Sequence, residues 1–174
     1  PMASFGSIPV TIARIYTGGC QCGAVRYRAE GVLSDPHICH CRMCQKATGN
    51  YFMPLANASR DTFDITRGQP SWFRSSHLVR RGFCSDCGTP LFYDMPDESY
   101  INIALGSLDD PDDVQPVYQS GVESRVIWFS RLAGLPPRET DDGTEVSATR
   151  HLIVLETNRQ HPDYDTVHWP LTKD

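Results

Sequence analysis

The sequence has no long apolar run. Crossing a bilayer takes roughly 18 to 20 consecutive apolar residues, and nothing in the chain approaches that, so no membrane association is expected. It has no excess of positive charge either: 16 Lys and Arg stand against 21 Asp and Glu, a net charge of −5. A nucleic-acid partner needs a basic stripe that displaces counterions from phosphates, so that partner class is excluded. A small anionic substrate is not, because a few local cations can hold it. Residues 1–10, PMASFGSIPV, lack the basic stretch and apolar core of a secretory leader, which predicts a reducing, cytoplasmic setting. Internal repeats, low-complexity tracts and a long 3.6-residue apolar stripe are all missing.

What is present is a chain of 174 residues, 40% hydrophobic and 21% charged, which suits one compact domain. Turn residues interrupt it often, as at Asp35-Pro36, Gly68-Gln69-Pro70 and Met95-Pro96-Asp97. Between them lie short β-prone runs at 10–16, 24–30, 51–56, 62–67, 71–75, 90–95, 100–105 and 125–129. In the second run Val25 and Tyr27 alternate with Arg26 and Arg28, the period of a half-buried strand. Residues 42–48 suit one short helix. The pattern predicts a mainly β fold, a compact sandwich or barrel of short strands with few short helices. An N-terminal segment with the first strand covers 1–16, and the main domain covers 17–135. A loop and C-terminal extension, 136–174, pack on the same domain. Within the extension, 136–149 reads as loop and HLIVLE (151–156) as a buried strand or docking helix. The tail after it reads as irregular, pinned by Trp169. Most aromatics on the β-prone runs, among them Tyr51, Trp72, Phe73, Phe83, Phe92 and Tyr93, are expected in the core.

The seven cysteines, at 20, 22, 39, 41, 44, 84 and 87, carry the chemistry. An odd count cannot pair fully as disulfides, and clustered cysteines in a reducing compartment usually bind metal. Cys20 and Cys22 are followed by Gly23, and Cys84 and Cys87 by Gly88. Each pair is tight enough for both thiolates to reach one ion, and the glycine lets the backbone aim amides at the sulfurs. Two such knuckles meeting in space form a closed, structural Cys₄ zinc site. The alternative is two unrelated reduced pairs. Cys39, Cys41 and Cys44 have no fourth cysteine to join them. Three thiolates with one open position are the layout of a catalytic zinc, which acidifies a bound water or thiol and polarises a carbonyl. That makes two zinc ions per chain, one structural and one catalytic and easily lost. Two alternatives stay open: His40 closes the site as fourth ligand, or the three thiols hold no metal at rest.

Four segments, GGCQCGAVRYRAEG, CHCRMCQKATGNYF, RRGFCSDCGTPLFY and INIALGSLDDP, resemble in order and spacing the glutathione-dependent formaldehyde-activating enzyme family. The resemblance covers about residues 17 to 129. It implies a mostly β fold, also called Mss4-like, with structural zinc on Cys20, Cys22, Cys84 and Cys87 and catalytic zinc on Cys39, Cys41 and Cys44. It makes 17–135 a catalytic domain. It implies a carbon–sulfur lyase or synthase acting on a thiol–aldehyde adduct, foremost glutathione plus formaldehyde giving S-hydroxymethylglutathione. Family members often carry a histidine after GSLD, whereas here the stretch reads VQPVYQSGVESRVIWF. Another thiol, aldehyde or carbonyl substrate on the same fold is therefore a second reading. A non-catalytic, zinc-stabilised binding module is a third. One branch resembles basic centromere- and microtubule-associated proteins, and the net charge of −5 argues against it.

Around the cluster, Arg42, Lys46, Arg80 and Arg81 are either partners for glutathione carboxylates or ordinary surface cations. His40 either orients a ligand or donates a proton, or packs beneath the site against backbone. The run 109–113, DDPDD, reads as a solvated turn, and 161–168, HPDYDTVH, as polar tail in preference to a third metal site.

Overall fold

A computed structural model of the chain describes residues 13–141 and 143–169. Among them are ten strands: β1 (Ile15–Gly19), β2 (Arg26–Glu30), β3 (Ser34–Cys39), β4 (Met53–Ser59), β5 (Phe63–Arg67), β6 (Ser71–Arg74), β7 (Arg80–Phe83), β8 (Pro90–Asp94), β9 (Tyr100–Ala104) and β10 (Tyr118–Ser120). Two α-helices, α1 (Arg42–Thr48) and α2 (Glu145–Thr157), and several single 3₁₀ turns complete it. A three-stranded sheet runs β1-β2-β5, and a seven-stranded sheet runs β10-β3-β4-β9-β8-β7-β6. All pairings are antiparallel except β10 with β3. The fold is mainly β, as the sequence predicts. No helix among the described residues is long and apolar enough to cross a membrane.

The main core lies between the sheets. Tyr27 and Ala29 of β2 meet Ala56 and Ala58 of β4, Phe92 of β8, and Ile101 and Ile103 of β9. Tyr27 is fully buried, with its ring edge-on to Phe92 at 5.4 Å. Its hydroxyl shares a 2.7 Å hydrogen bond with Ser107 Oγ, so burial leaves no polar atom unpaired.

Several expectations need correction. Arg26 does not face water: it is 3% exposed. The residues after β9 and the C-terminal tail cover that face of β2. Arg26 grips Asp109 at 2.7 and 2.5 Å and Asp165 at 2.5 Å, so Asp109 is an ion-pair partner and not part of a solvated turn. The run 125–129 is no strand. β propensity depends on context, and this segment instead leaves the 3₁₀ turn Val122–Ser124 and enters the 3₁₀ turn Phe129–Gly134. HLIVLE belongs to α2, which begins at Glu145 inside the expected loop and is neither a buried strand nor docked. The Thr144 hydroxyl caps it by accepting from Ser147 N–H, and Leu152, Ile153, Val154 and Leu155 are each more than half exposed. The first β-prone run, 10–16, falls partly outside the described residues, and β1 extends from Ile15 through Gly19. Tyr51, Trp72 and Phe73 lie at the surface, not in the core.

The tail behaves as expected. The Trp169 indole N–H donates to Cys22 O, and His161 N–H donates to Gln21 O at 2.7 Å. Gly23, at φ +73°, has no Cβ, and one placed there would collide with His161 and Trp169. The tail's seat on the first knuckle therefore requires glycine at that position.

Candidate metal centres

Cys20 and Cys22 occupy the turn from β1 to β2, and Cys84 and Cys87 the turn from β7 to β8. Both turns end in a left-handed glycine, Gly23 at φ +73° and Gly88 at φ +76°. Each turn closes with an amide on a cysteine carbonyl, Gly23 N–H to Cys20 O at 3.0 Å and Gly88 N–H to Cys84 O at 2.9 Å. Gln21 N–H donates to Thr89 Oγ1 at 3.0 Å and ties the two knuckles together. The four Sγ atoms lie within 4.8 Å of one another. Cys20 and Cys22 are 3.6 Å apart, and Cys22 and Cys84 are 3.8 Å apart. Tetrahedral zinc with Zn–S bonds of about 2.3 Å spaces its sulfurs by about 3.8 Å, whereas a disulfide needs about 2.05 Å. All seven thiols are free. The donor set and its spacing fit a closed metal site. Burial pushes the Cys20 and Cys22 thiols up. Burial works the same way on Cys87, but donors from Thr89 and nearby amides outweigh it and bring Cys87 down to about 6.

The second group is local. Cys39 ends β3, Cys41 is the N-cap of α1, and Cys44 lies in its first turn. The Cys41 sulfur accepts from Cys44 N–H at 3.4 Å, so the residue that caps the helix also offers a thiol to the group. The three Sγ atoms again lie within 4.8 Å of one another, with no fourth ligating side chain among the described residues. A hydrogen bond from the Cys44 thiol, helped by neighbouring amides and Ser120, lowers Cys39 to about 4. The same bond, with burial, pushes Cys44 up. Gly121, at φ +62°, lets the segment after β10 close on Cys41, whose backbone N would lie 2.8 Å from an added Cβ.

The residues expected around this group divide. Arg81 reaches it: 7% exposed, its guanidinium stands 3.5 Å from Cys44 Sγ, 3.8 Å from Met53 Sδ and over the Tyr93 ring. Arg80, the next residue of the strand, turns to the opposite face, where it pairs with the fully buried Asp94 and stacks on Trp72. Arg80 is thus held in an ion pair away from the three-thiol group. Arg42 and Lys46 are exposed on α1, with Arg42 donating to Gln45 Oε1 at 2.6 Å. His40 is fully buried and neither of its nitrogens joins the sulfur group. Its ring lies edge-on to Phe129 at 4.5 Å, and its Nε2 shares a 2.9 Å hydrogen bond with Gln119 Oε1. The reading of His40 as a fourth ligand fails on that geometry. No third metal group forms from the tail histidines among the described residues; His161 is buried against Gly23 and Trp169 instead.

Sequence reasoning missed Gln45. It is 4% exposed and donates from one amide nitrogen to His40 O at 2.7 Å and Ser124 O at 2.9 Å. It locks α1, the cysteine loop and the segment after β10 together. A Gln next to a cysteine carries no pattern of its own, so only the fold reveals it.

The family model of the glutathione-dependent formaldehyde-activating enzymes matches residues 15–124, well over half of the chain and all seven cysteines. The chain belongs to that family. An uncharacterized lyase of Schizosaccharomyces pombe (strain 972) is 28% identical over 80 residues, 45% of this chain and 56% of that protein. The chain thus matches just over half the length of this relative. A solved Rhodobacter sphaeroides protein superposes with a TM-score of 0.49 at 21% identity, over 60% of this chain and 99% of the other. Helix α2 and the tail lie beyond the family match.

Proposed function

We propose that the protein is a zinc-dependent carbon–sulfur lyase that makes and breaks a thiol–aldehyde adduct, with glutathione and formaldehyde as the leading substrates. The observation that carries this reading is the three-thiol group, convergent within 4.8 Å and without a fourth ligating side chain among the described residues. Zinc held by Cys39, Cys41 and Cys44 would supply Lewis acidity at the position these ligands leave open. The chain's own residues do the rest. Arg81 places a buried positive charge beside the thiolates and offsets their repulsion toward another anion. Arg42 and Lys46 stand exposed on the helix that carries Cys44, within reach of a substrate's carboxylates. The four-thiol group is read as a structural zinc site. The activity is assigned to the 17–135 domain, with 136–174 as its extension, in the cytoplasm, where free thiols persist.

Exchange NMR on ¹³C-formaldehyde, glutathione and their adduct tests the reading. The metal-loaded protein is expected to speed interconversion well above the spontaneous rate. An unchanged exchange rate at stoichiometric protein rules out this substrate pair.

A further inference from the structure

Resting on the lyase reading, but with a different aldehyde from formaldehyde, we infer that the aldehyde side of the adduct carries an aromatic ring, and that a pocket beside the three-thiol group receives it. The pocket measures about 350 Å³ and opens between α1 and strands β4, β6, β7 and β8. Met53, Phe73 and Phe83 form its apolar walls, and Arg81 is the single charged residue lining it. Two of these side chains belong to both places. Arg81 touches Cys44 Sγ at 3.5 Å, and Met53 packs in the same buried cluster as Cys44.

Size and lining decide the ligand class. A dry apolar cavity of about 150 Å³ already holds a benzene ring, so this pocket has room for a substituted ring, while formaldehyde would leave it nearly empty. Ligand sites of this kind combine aromatic walls with one or two placed polar groups. Phe73 is 62% exposed, and neither it nor Phe83 stacks on another ring among the described residues. An unpartnered aromatic at a pocket mouth is a surface that a ligand's ring can cover. Arg81 is buried and pairs with no carboxylate among the described residues, so its N–H groups can serve a ligand's oxygen. A polar tripeptide thiol does not match these walls.

The chemistry balances without a further reactant. The thiol sulfur forms a bond to the carbonyl carbon of the arene aldehyde, the C=O π pair moves to oxygen, and the thiol proton ends there. Arg81 stabilises the charge that develops on that oxygen. The reverse reaction releases thiol and aldehyde.

Two measurements on the metal-loaded full chain test the inference. In ¹⁹F NMR, 4-fluorobenzyl alcohol serves as an unreactive probe, and its line should broaden with protein. Ala47→Trp, which fills the pocket from α1, should weaken that binding about tenfold. Phe73→Ala, a surface change that folds even if the first variant does not, should weaken it by about threefold. In exchange NMR with glutathione, 4-fluorobenzaldehyde should be accelerated about tenfold more than formaldehyde, and Ala47→Trp should erase that ratio. Absence of probe binding overturns the inference, as does acceleration of formaldehyde alone or a ratio that Ala47→Trp leaves unmoved. Each of these leaves the lyase reading in place. Acceleration of neither aldehyde, with the probe still bound and displaced by Ala47→Trp, overturns the lyase reading and keeps the arene site.

Discussion

The two sulfur groups share one dimension and differ in almost everything else. In each, the Sγ atoms converge within 4.8 Å. The four-thiol group draws on two distant turns, one in each sheet, and so links β1-β2 to β7-β8. An ion there closes a long loop and holds the sandwich together. The three-thiol group comes from a single stretch between β3 and α1, so an ion there closes no long loop. Its geometry is kept by buried Gln45, Met53 and Arg81 and by half-buried Tyr93. A site that spans the fold is expected to hold the fold. A site held by its surroundings can lose its ion and remain shaped.

The sharpest way to break this comparison is Cys84→Ser. Structural zinc contributes about 10 to 16 kcal/mol of apparent binding free energy, more than most domains have as net stability, so the variant should lose its cooperative thermal transition by calorimetry. Next is Asp109→Asn, on the four-thiol side of the molecule. Breaking a buried ion pair typically costs about 3 to 5 kcal/mol, and a loss of about 2 to 3 kcal/mol is expected here because Asp165 still pairs with Arg26. The Asp109 carboxyl has a definite pH signature. Burial would raise it, but Arg26 and Thr17, at 2.6 Å, hold it below the ordinary carboxylate range. Its folded pKa is depressed, so its stabilisation is present above the unfolded carboxylate value and lost as pH falls through the folded one. Chemical denaturation of wild type and Asp109→Asn should therefore differ near neutrality and converge in strong acid.

Cys39→Ser should fall at the other pole. Elemental analysis should drop from two zinc ions per chain to one, with the thermal midpoint nearly unchanged and adduct exchange abolished. A loss of folding as severe as that of Cys84→Ser would erase the distinction between the two groups. The smallest effect belongs to Gln45→Ala. It leaves two buried carbonyls without their donor, at a cost of about 1 to 3 kcal/mol, and loosens the support of the three-thiol group. A chelator titration should show that group releasing zinc about 10- to 100-fold more readily, while the four-thiol group holds its ion as before.

Much of this was legible along the chain. The β-prone runs at 62–67, 71–75, 90–95 and 100–105 became β5, β6, β8 and β9 with ends shifted by about a residue. Strands β3 and β7 were not legible. The first contains Asp35-Pro36, which reads as a turn, and the chain tolerates it at a register shift where Pro36 O accepts from Val117 N–H. The second is RRGF, which reads as surface, and it forms because it fits between β6 and β8. The run 125–129 failed in the opposite sense, since it pairs with no strand and runs into a 3₁₀ turn instead.

The sequence alone determined the division of the seven cysteines into four and three, because a thiol's partners within a knuckle are set by spacing and a glycine turn. It also determined the mainly β class, because turn residues cut the chain into strand lengths. Only the tertiary structure decided which cations matter. Arg80 and Arg81 are adjacent in sequence and equal in charge, and the two-residue period of β7 sends one to Asp94 and the other to Cys44. It decided equally that His40, set between two cysteines, turns from them into an aromatic cage. Side-chain direction depends on the element a residue joins and on what that element packs against, and neither is written in the order of the residues.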